Sequence, residues 1–182
     1  MATPHAIRRR ALRRVGALAS GVLLCAGLAM PAATPAVADT GDLTCSGSAD
    51  LNFSPSLTPG GTADVSGSGH LSNCSSLTGR QLTSASIEPA GVATAAEAPC
   101  SALFSVDGTG TFVWNDGTTS EFDFTINTDP LNGLPAFSAE VTSGPLAGDT
   151  ITAAPLVATV NLDCATKGLT TFSTTLSALT FT

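Results

Sequence analysis

An all-β fold is predicted, an antiparallel β-sandwich or related barrel of about eight to ten strands, and three observations carry the prediction. Beyond residue 38, Thr, Ser and Gly are abundant while Lys, Glu, Gln and Arg are scarce. That balance suits short strands and tight turns rather than helices. Apolar and polar residues alternate at period two in several runs, the signature of half-buried strands. Gly- and Pro-rich clusters separate those runs at the intervals typical of two-layer or barrel β-domains.

The chain opens on a segment of a different kind. Arg8, Arg9, Arg10, Arg13 and Arg14 form a cationic start, Val15 to Met30 is apolar, and Ala36-Val37-Ala38 offers the small-x-small pattern that signal peptidase accepts. Residues 1–38 are therefore expected to be a secretory signal peptide. Pro31, Pro35 and the shortness of the apolar run oppose a membrane anchor. Leu24 precedes Cys25 where a lipoprotein would carry a small residue. The paired arginines leave the general secretory and twin-arginine routes both open. With no apolar tail or basic stop at its end, the product is expected to be released outside the cell.

Removing the leader removes five of the seven basic residues. Arg80 and Lys167 then face fourteen carboxylates, a net charge of −12. The isoelectric point of the mature chain should fall below about 4. Such a surface repels phosphate backbones and anionic lipid heads, so nucleic acid and membrane surfaces are not expected partners. The same charge favours a soluble monomer. The remaining 144 residues, 39–182, suit a single domain with a real core.

The strands follow in order. Leu43, Cys45, Gly47, Ala49, Leu51 and Phe53 share one phase, and Ser54 to Gly61 reads as a turn. Ala63, Val65, Gly67, Gly69 and Leu71 continue as an antiparallel partner, folded about residue 57. Gln81 to Glu88 is a weaker strand. Pro89 to Pro99 reads as a loop, and Ser101 to Val106 as a short strand ending at Asp107-Gly108. A hairpin spans 109–127. A three-residue loop at Asn115-Asp116-Gly117 pairs Phe112 with Ser120 and Gly110 with Phe122. Gly110, Phe112, Trp114, Phe122, Phe124 and Ile126 then share one apolar face, which a two-residue turn would break. Asn127 to Leu134 is a loop. Phe137, Ala139 and Val141 lead into a turn at Ser143-Gly144-Pro145. Asp149 to Ala153 and Leu156 to Leu162 are one strand or two about Pro155, and Leu169 to Phe181 closes the domain. An Ig-like sandwich or a related barrel accommodates this pattern, with no long helix and no second domain.

Four cysteines outlast cleavage, Cys45, Cys74, Cys100 and Cys164. Their spacing contains no C-x-x-C pair, and His70 alone would not complete a zinc site with them. Two disulfides are expected. The first hairpin brings Cys45 near Cys74, which leaves Cys100 to Cys164. Loop-closure entropy assigns these links about 3.6 and about 4.3 kcal/mol.

Chemistry-bearing residues are few. The mature chain has one histidine, one arginine, one lysine and no tyrosine. His70 with a serine and a carboxylate could form a hydrolytic triad, yet no G-x-S-x-G elbow occurs and His70 lies on the polar phase of its strand. Glu121 and Asp123 could serve glycoside chemistry as a carboxylate pair, but their strand phase points outward, where nothing raises a carboxyl pKa. Asp107, Asp116, Asp129 and Asp149 sit beside Gly or Pro, where aspartate caps turn backbone without any metal, although calcium stays open. Trp114 shares the inward phase of three phenylalanines and is expected in the core rather than on a sugar platform.

The pattern C-S-G at 45–47, Cys74, W-N-D-G at 114–117, S-G-P-L-A-G-D at 143–149 and Cys164 resembles small secreted actinobacterial β-sandwich proteins of unassigned function. The resemblance implies an exported β-domain and no activity. A further likeness, at fold level only, is to the enediyne-binding apoproteins, whose two disulfides close much shorter loops. The expectation is a secreted, non-enzymatic structural or binding module without a cofactor, its partner an extracellular ligand or the cell wall. A hydrolase using paired carboxylates and a small-molecule carrier are the alternatives.

Overall fold

The computed structural model describes residues 43–128 and 136–182, apart from the side chains of 136 and 154–157. The segment expected to be a signal peptide, most of the 127–134 loop and Asp129 lie outside the described residues. Eight described strands run β1 Leu43–Leu57, β2 Thr62–Ser75, β3 Ala85–Thr94, β4 Ser105–Trp114, β5 Thr119–Asn127, β6 Ala136–Ser143, β7 Thr150–Val160 and β8 Leu169–Phe181. A short 3-10 helix, Pro99–Ser101, precedes β4, and a one-turn helix α1, Cys164–Lys167, precedes β8.

Each strand pairs antiparallel with its neighbour in sequence, and β1 also pairs with β8, so the sheet closes into an up-and-down barrel. The expected sandwich is corrected here. A sandwich needs two sheets with free edges. In this chain β1 is long enough, at 15 residues, to hold β2 on one edge and β8 on the other along most of its length. Closure removes both edges.

The alternation read from the sequence becomes an inside and an outside. In β5, Ser120, Phe122, Phe124 and Ile126 are buried while Thr119, Glu121, Asp123 and Thr125 are exposed. An eight-stranded barrel is just wide enough for its inward side chains to fill it. One end is packed by Leu43, Trp114, Ile151 and Phe181, with Leu82 and Leu146 from the connecting segments. The other is packed by Leu57, Phe104 and Leu169, with Phe104 meeting Phe53 and Phe172 edge-on at 5.6 and 5.1 Å.

Three breaker residues do not break their strands. Pro89 lies inside β3, not at the start of a loop; the β2–β3 ladder pairs Ser66 with Ala90 and Gly69 with Ile87 and skips the residues between, so no donor is required of the proline. Asp107-Gly108 lies inside β4 rather than at a turn, with Gly108 opposite Phe124. Pro155 is likewise skipped in the β7–β8 ladder, and β7 is one strand. The first hairpin extends further than expected, with β1 running through Pro55 to Leu57. Its tip is the Thr58–Gly61 turn, closed by the Gly61 N–H donating to the Thr58 carbonyl.

The W-N-D-G hairpin has the three-residue loop that the apolar face requires. Phe112 faces Ser120 and Gly110 faces Phe122. The Trp114 N–H donates to the Thr118 carbonyl at 2.9 Å, and Gly117 takes the left-handed conformation at φ 83°. Asn115 fastens the β2–β3 connection: its Oδ1 accepts from the Thr83 N–H at 2.7 Å and its Nδ2 donates to the Gln81 carbonyl at 3.1 Å.

Cys45 is bonded to Cys74 and Cys100 to Cys164, the pairing that the first hairpin implies. The first joins the open end of the β1–β2 pair. The second ties the 3-10 helix to α1 across 64 residues of chain. Disulfides of this kind suit an oxidising compartment.

Trp114 is 3% exposed and its indole N–H donates to Ser120 Oγ at 2.9 Å. Ser120, itself fully buried, donates its own hydroxyl hydrogen bond to the Pro145 carbonyl at 2.6 Å. Removing that hydroxyl orphans a buried donor and a partly buried acceptor together. Ser120→Ala is expected to lower unfolding free energy by about 1–3 kcal/mol, measured by denaturant titration, whereas Thr119→Ala on the outer face should change it by less than about 0.5 kcal/mol.

Candidate binding site inside the barrel

The barrel interior is not completely filled. A cavity of about 60 Å³ lies at its waist, lined by apolar side chains and by Thr174. Its shape follows from an unequal pairing across β4 and β5. Gly110 faces inward, directly opposite Phe122. A Cβ at Gly110 would collide with the tip of the Phe122 ring and with no backbone atom among its nearest neighbours. The glycine therefore lets that ring lie flat against the wall instead of projecting to the axis, and space remains at the centre.

A run of aromatic rings lines this side. Phe112 stacks on Phe122 with centroids 4.3 Å apart and planes at 25°. Phe122 meets Phe124 at 5.9 Å, and Phe124 meets Phe137 at 6.4 Å and 25°. Phe112 continues the run to Trp114 at the closed end. Leu51 and Leu176 complete the opposite wall, and Ile87 lines the cavity from β3, beside Phe112. A lining this apolar offers a water few of the partners that it needs. By volume the cavity forgoes roughly 1–1.5 kcal/mol of packing relative to a filled interior. An apolar occupant recovers part of that.

The outer wall carries the residues singled out for chemistry. His70 is exposed on β2, and its Nδ1 lies 3.2 Å from Ser48 Oγ on β1. This is a serine–histidine contact on an open, convex surface. Among the hydrogen bonds described, none brings a carboxylate to the imidazole. Glu121 and Asp123 are exposed on β5. Glu121 accepts from Ser143 Oγ at 3.2 Å, and Asp123 sits directly across from Glu140 of β6. Asp107, on the adjacent outward position of β4, accepts from Thr125 Oγ1 at 2.9 Å. Asp107, Asp123 and Glu140 border a shallow depression in the wall.

The turn aspartates separate into different roles. Asp116 caps its own turn, accepting from the Thr118 hydroxyl at 2.6 Å and N–H at 2.9 Å, and these bonds lower its pKa. Asp107 is in a strand. Asp149 is 1% exposed in the β6–β7 connection, where its backbone N–H donates to the Leu146 carbonyl. Among the described residues, no three His, Cys, Asp or Glu side chains gather so as to hold a metal ion. Trp114 belongs to the core, as its strand phase implies.

Sequence reasoning missed α1 and its clamp. Lys167 Nζ lies 2.6 Å from Asp163 Oδ2, one helical turn away, and Asn161 Nδ2 donates to Asp163 Oδ1 at 2.9 Å. Asn161 Oδ1 in turn accepts from the Thr170 N–H, stitching the segment to β8. An Asp and a Lys four residues apart, followed by Gly168, were the signal.

No protein-family model, curated protein or solved structure matches the chain.

The hydrogen bond from Lys167, then that from Asn161, pulls the Asp163 pKa down from 3.8 to about 2. The stability contributed by this clamp is complete above the ordinary carboxylate range and is lost as pH falls through about 2. Asp163→Asn is expected to melt below wild type at pH 6, with the difference shrinking as pH falls toward 2. Scanning calorimetry across that range checks it.

Proposed function

We propose that this protein is a secreted, non-enzymatic binding module whose barrel interior takes a small apolar ligand. The observation that carries the proposal is the apolar, aromatic-walled cavity held open by the Gly110–Phe122 pairing. Small-ligand sites are concave and mostly apolar, and eight-stranded barrels hold one small ligand where their interior is not filled by side chains. Of the readings open at the sequence level, the carrier gains most from this interior. The hydrolase reading gains least, because Glu121 and Asp123 face solvent on the outer wall.

The wall suits work in an aqueous, oxidising medium. A barrel that spans a bilayer presents an apolar band outward and a polar interior. Here the outward positions of β4 to β6 carry Asp107, Thr109, Thr111, Glu121, Asp123, Ser138 and Glu140, and the interior is apolar. Among the described residues no helix is long and apolar enough to cross a membrane. Two disulfides hold the wall, so the interior need not be packed to capacity for the fold to persist.

The binding reading is tested by filling the cavity. In Gly110→Ala the new methyl group drives the Phe122 ring into the central space. Toluene is expected to raise the melting temperature of the wild-type protein and to leave that of Gly110→Ala unchanged, while the crowded ring makes ligand-free Gly110→Ala about 1–3 kcal/mol less stable than wild type. Native mass spectrometry of protein taken from its own culture medium should show a bound adduct. No toluene shift in the wild type and no adduct would overturn the proposal.

A further inference from the structure

We propose, resting on the interior-site reading, that the ligand is a bare hydrocarbon, an uncharged molecule with no hydroxyl, carbonyl or amine, and that the site rejects the oxygenated and charged relatives of that hydrocarbon.

The inward row of β5 carries the argument. It reads Ser120, Phe122, Phe124 and Ile126, and Thr128 is buried just beyond the strand. Polar side chains stand at the two ends of this row, with apolar ones between. Both hydroxyls are already committed. Ser120 Oγ accepts from the Trp114 indole N–H at 2.9 Å and donates to the Pro145 carbonyl at 2.6 Å. Thr128 Oγ1 accepts from the Phe104 N–H at 3.0 Å and donates to the Phe104 carbonyl at 2.7 Å. Neither lines the cavity. Nor does Asp149, the remaining buried polar side chain among the described residues.

The waist offers a polar guest nothing in their place. Among the described residues that line the cavity, only Thr174 has a polar side chain, and no polar atom reaches the cavity surface. Thr174 is itself already engaged within the protein. Backbone groups do not help, because in a closed antiparallel sheet they point along the wall to the neighbouring strands. A hydroxyl carried into this space loses its water and gains no partner.

A polar head could avoid that cost by projecting through an end of the barrel. Both ends are closed by Leu43, Leu57, Leu169 and Phe181, each 0% exposed. Charge narrows the class further. Residues 39–182 carry a net charge of −12, which repels an anionic guest. A cation is drawn to the outer wall, but Glu121 and Asp123 face solvent there and no carboxylate lines the cavity. As built, the cavity of about 60 Å³ is smaller than the roughly 150 Å³ that holds benzene, so a ring-sized guest binds as the lining side chains give way. Apolar side chains do so at a cost in packing alone, with no hydrogen bond to break.

The experiment uses the secreted protein and two isosteric pairs of probes, toluene with phenol and ethylbenzene with benzylamine, affinities being read by NMR titration. Within each pair the hydrocarbon should bind at least about thirtyfold more tightly. Thr174→Val, which keeps the shape of the lining, should leave the toluene and phenol affinities within twofold of wild type. Phenol within fivefold of toluene, or benzylamine within fivefold of ethylbenzene, would overturn the hydrocarbon class. So would a loss of phenol affinity in Thr174→Val, since the threonine would then be serving the hydroxyl of the guest. Failure of the wild type to bind toluene and ethylbenzene would instead overturn the interior site itself.

Discussion

Every inward side chain of this domain must fit a cylinder whose width is fixed by the number of its strands. That constraint follows from one pairing, β1 with β8, which joins the two ends of the sheet. Once the sheet closes, no strand can move away to relieve crowding or approach to fill a gap. Interior volume is then matched residue by residue across neighbouring strands. Trp114 and Phe181 fill one end, and Phe104 and Phe172 the other. At the waist a glycine is set opposite a phenylalanine, and the ring takes the space above the glycine rather than the axis. The cavity is the remainder of that local match.

The same constraint explains the division between polar and apolar chemistry. An acidic outer wall and an apolar interior leave little intermediate environment. Glu121, Asp123 and Glu140 keep their water, and Asp123 and Glu140 face each other across a rung, where like charges repel. The disulfides act where the ladders do not reach, at the open end of the first hairpin and between the segment before β4 and α1.

Local features were legible in the sequence. The three-residue loop of the W-N-D-G hairpin followed from demanding one apolar face, and that demand also set Phe122 opposite Gly110. The burial of Trp114 and the Cys45–Cys74 link followed from strand phase and register. What misled was punctuation. Pro89 and Asp107-Gly108 read as breaks, and Pro155 left one strand or two open, because a breaker is a local signal while tolerance of it depends on whether a neighbouring strand needs a donor there. Barrel and sandwich could not be separated, since β1–β8 pairing links residues almost the whole domain apart and leaves no local pattern. Nor could the cavity be read, although both residues that make it had been paired. It is a difference in volume summed over all eight strands, and only closure of the sheet turns a Gly–Phe pair into empty space.

The central claim is that the waist of this barrel holds a dry, permanent space of atomic size. Diffraction from crystals held under xenon pressure tests it most directly, because xenon enters apolar cavities without needing a polar partner. The account predicts a xenon atom at the barrel axis beside Phe122, Leu51 and Leu176. Crystals that take up no xenon there, or that show ordered water in its place, would contradict it.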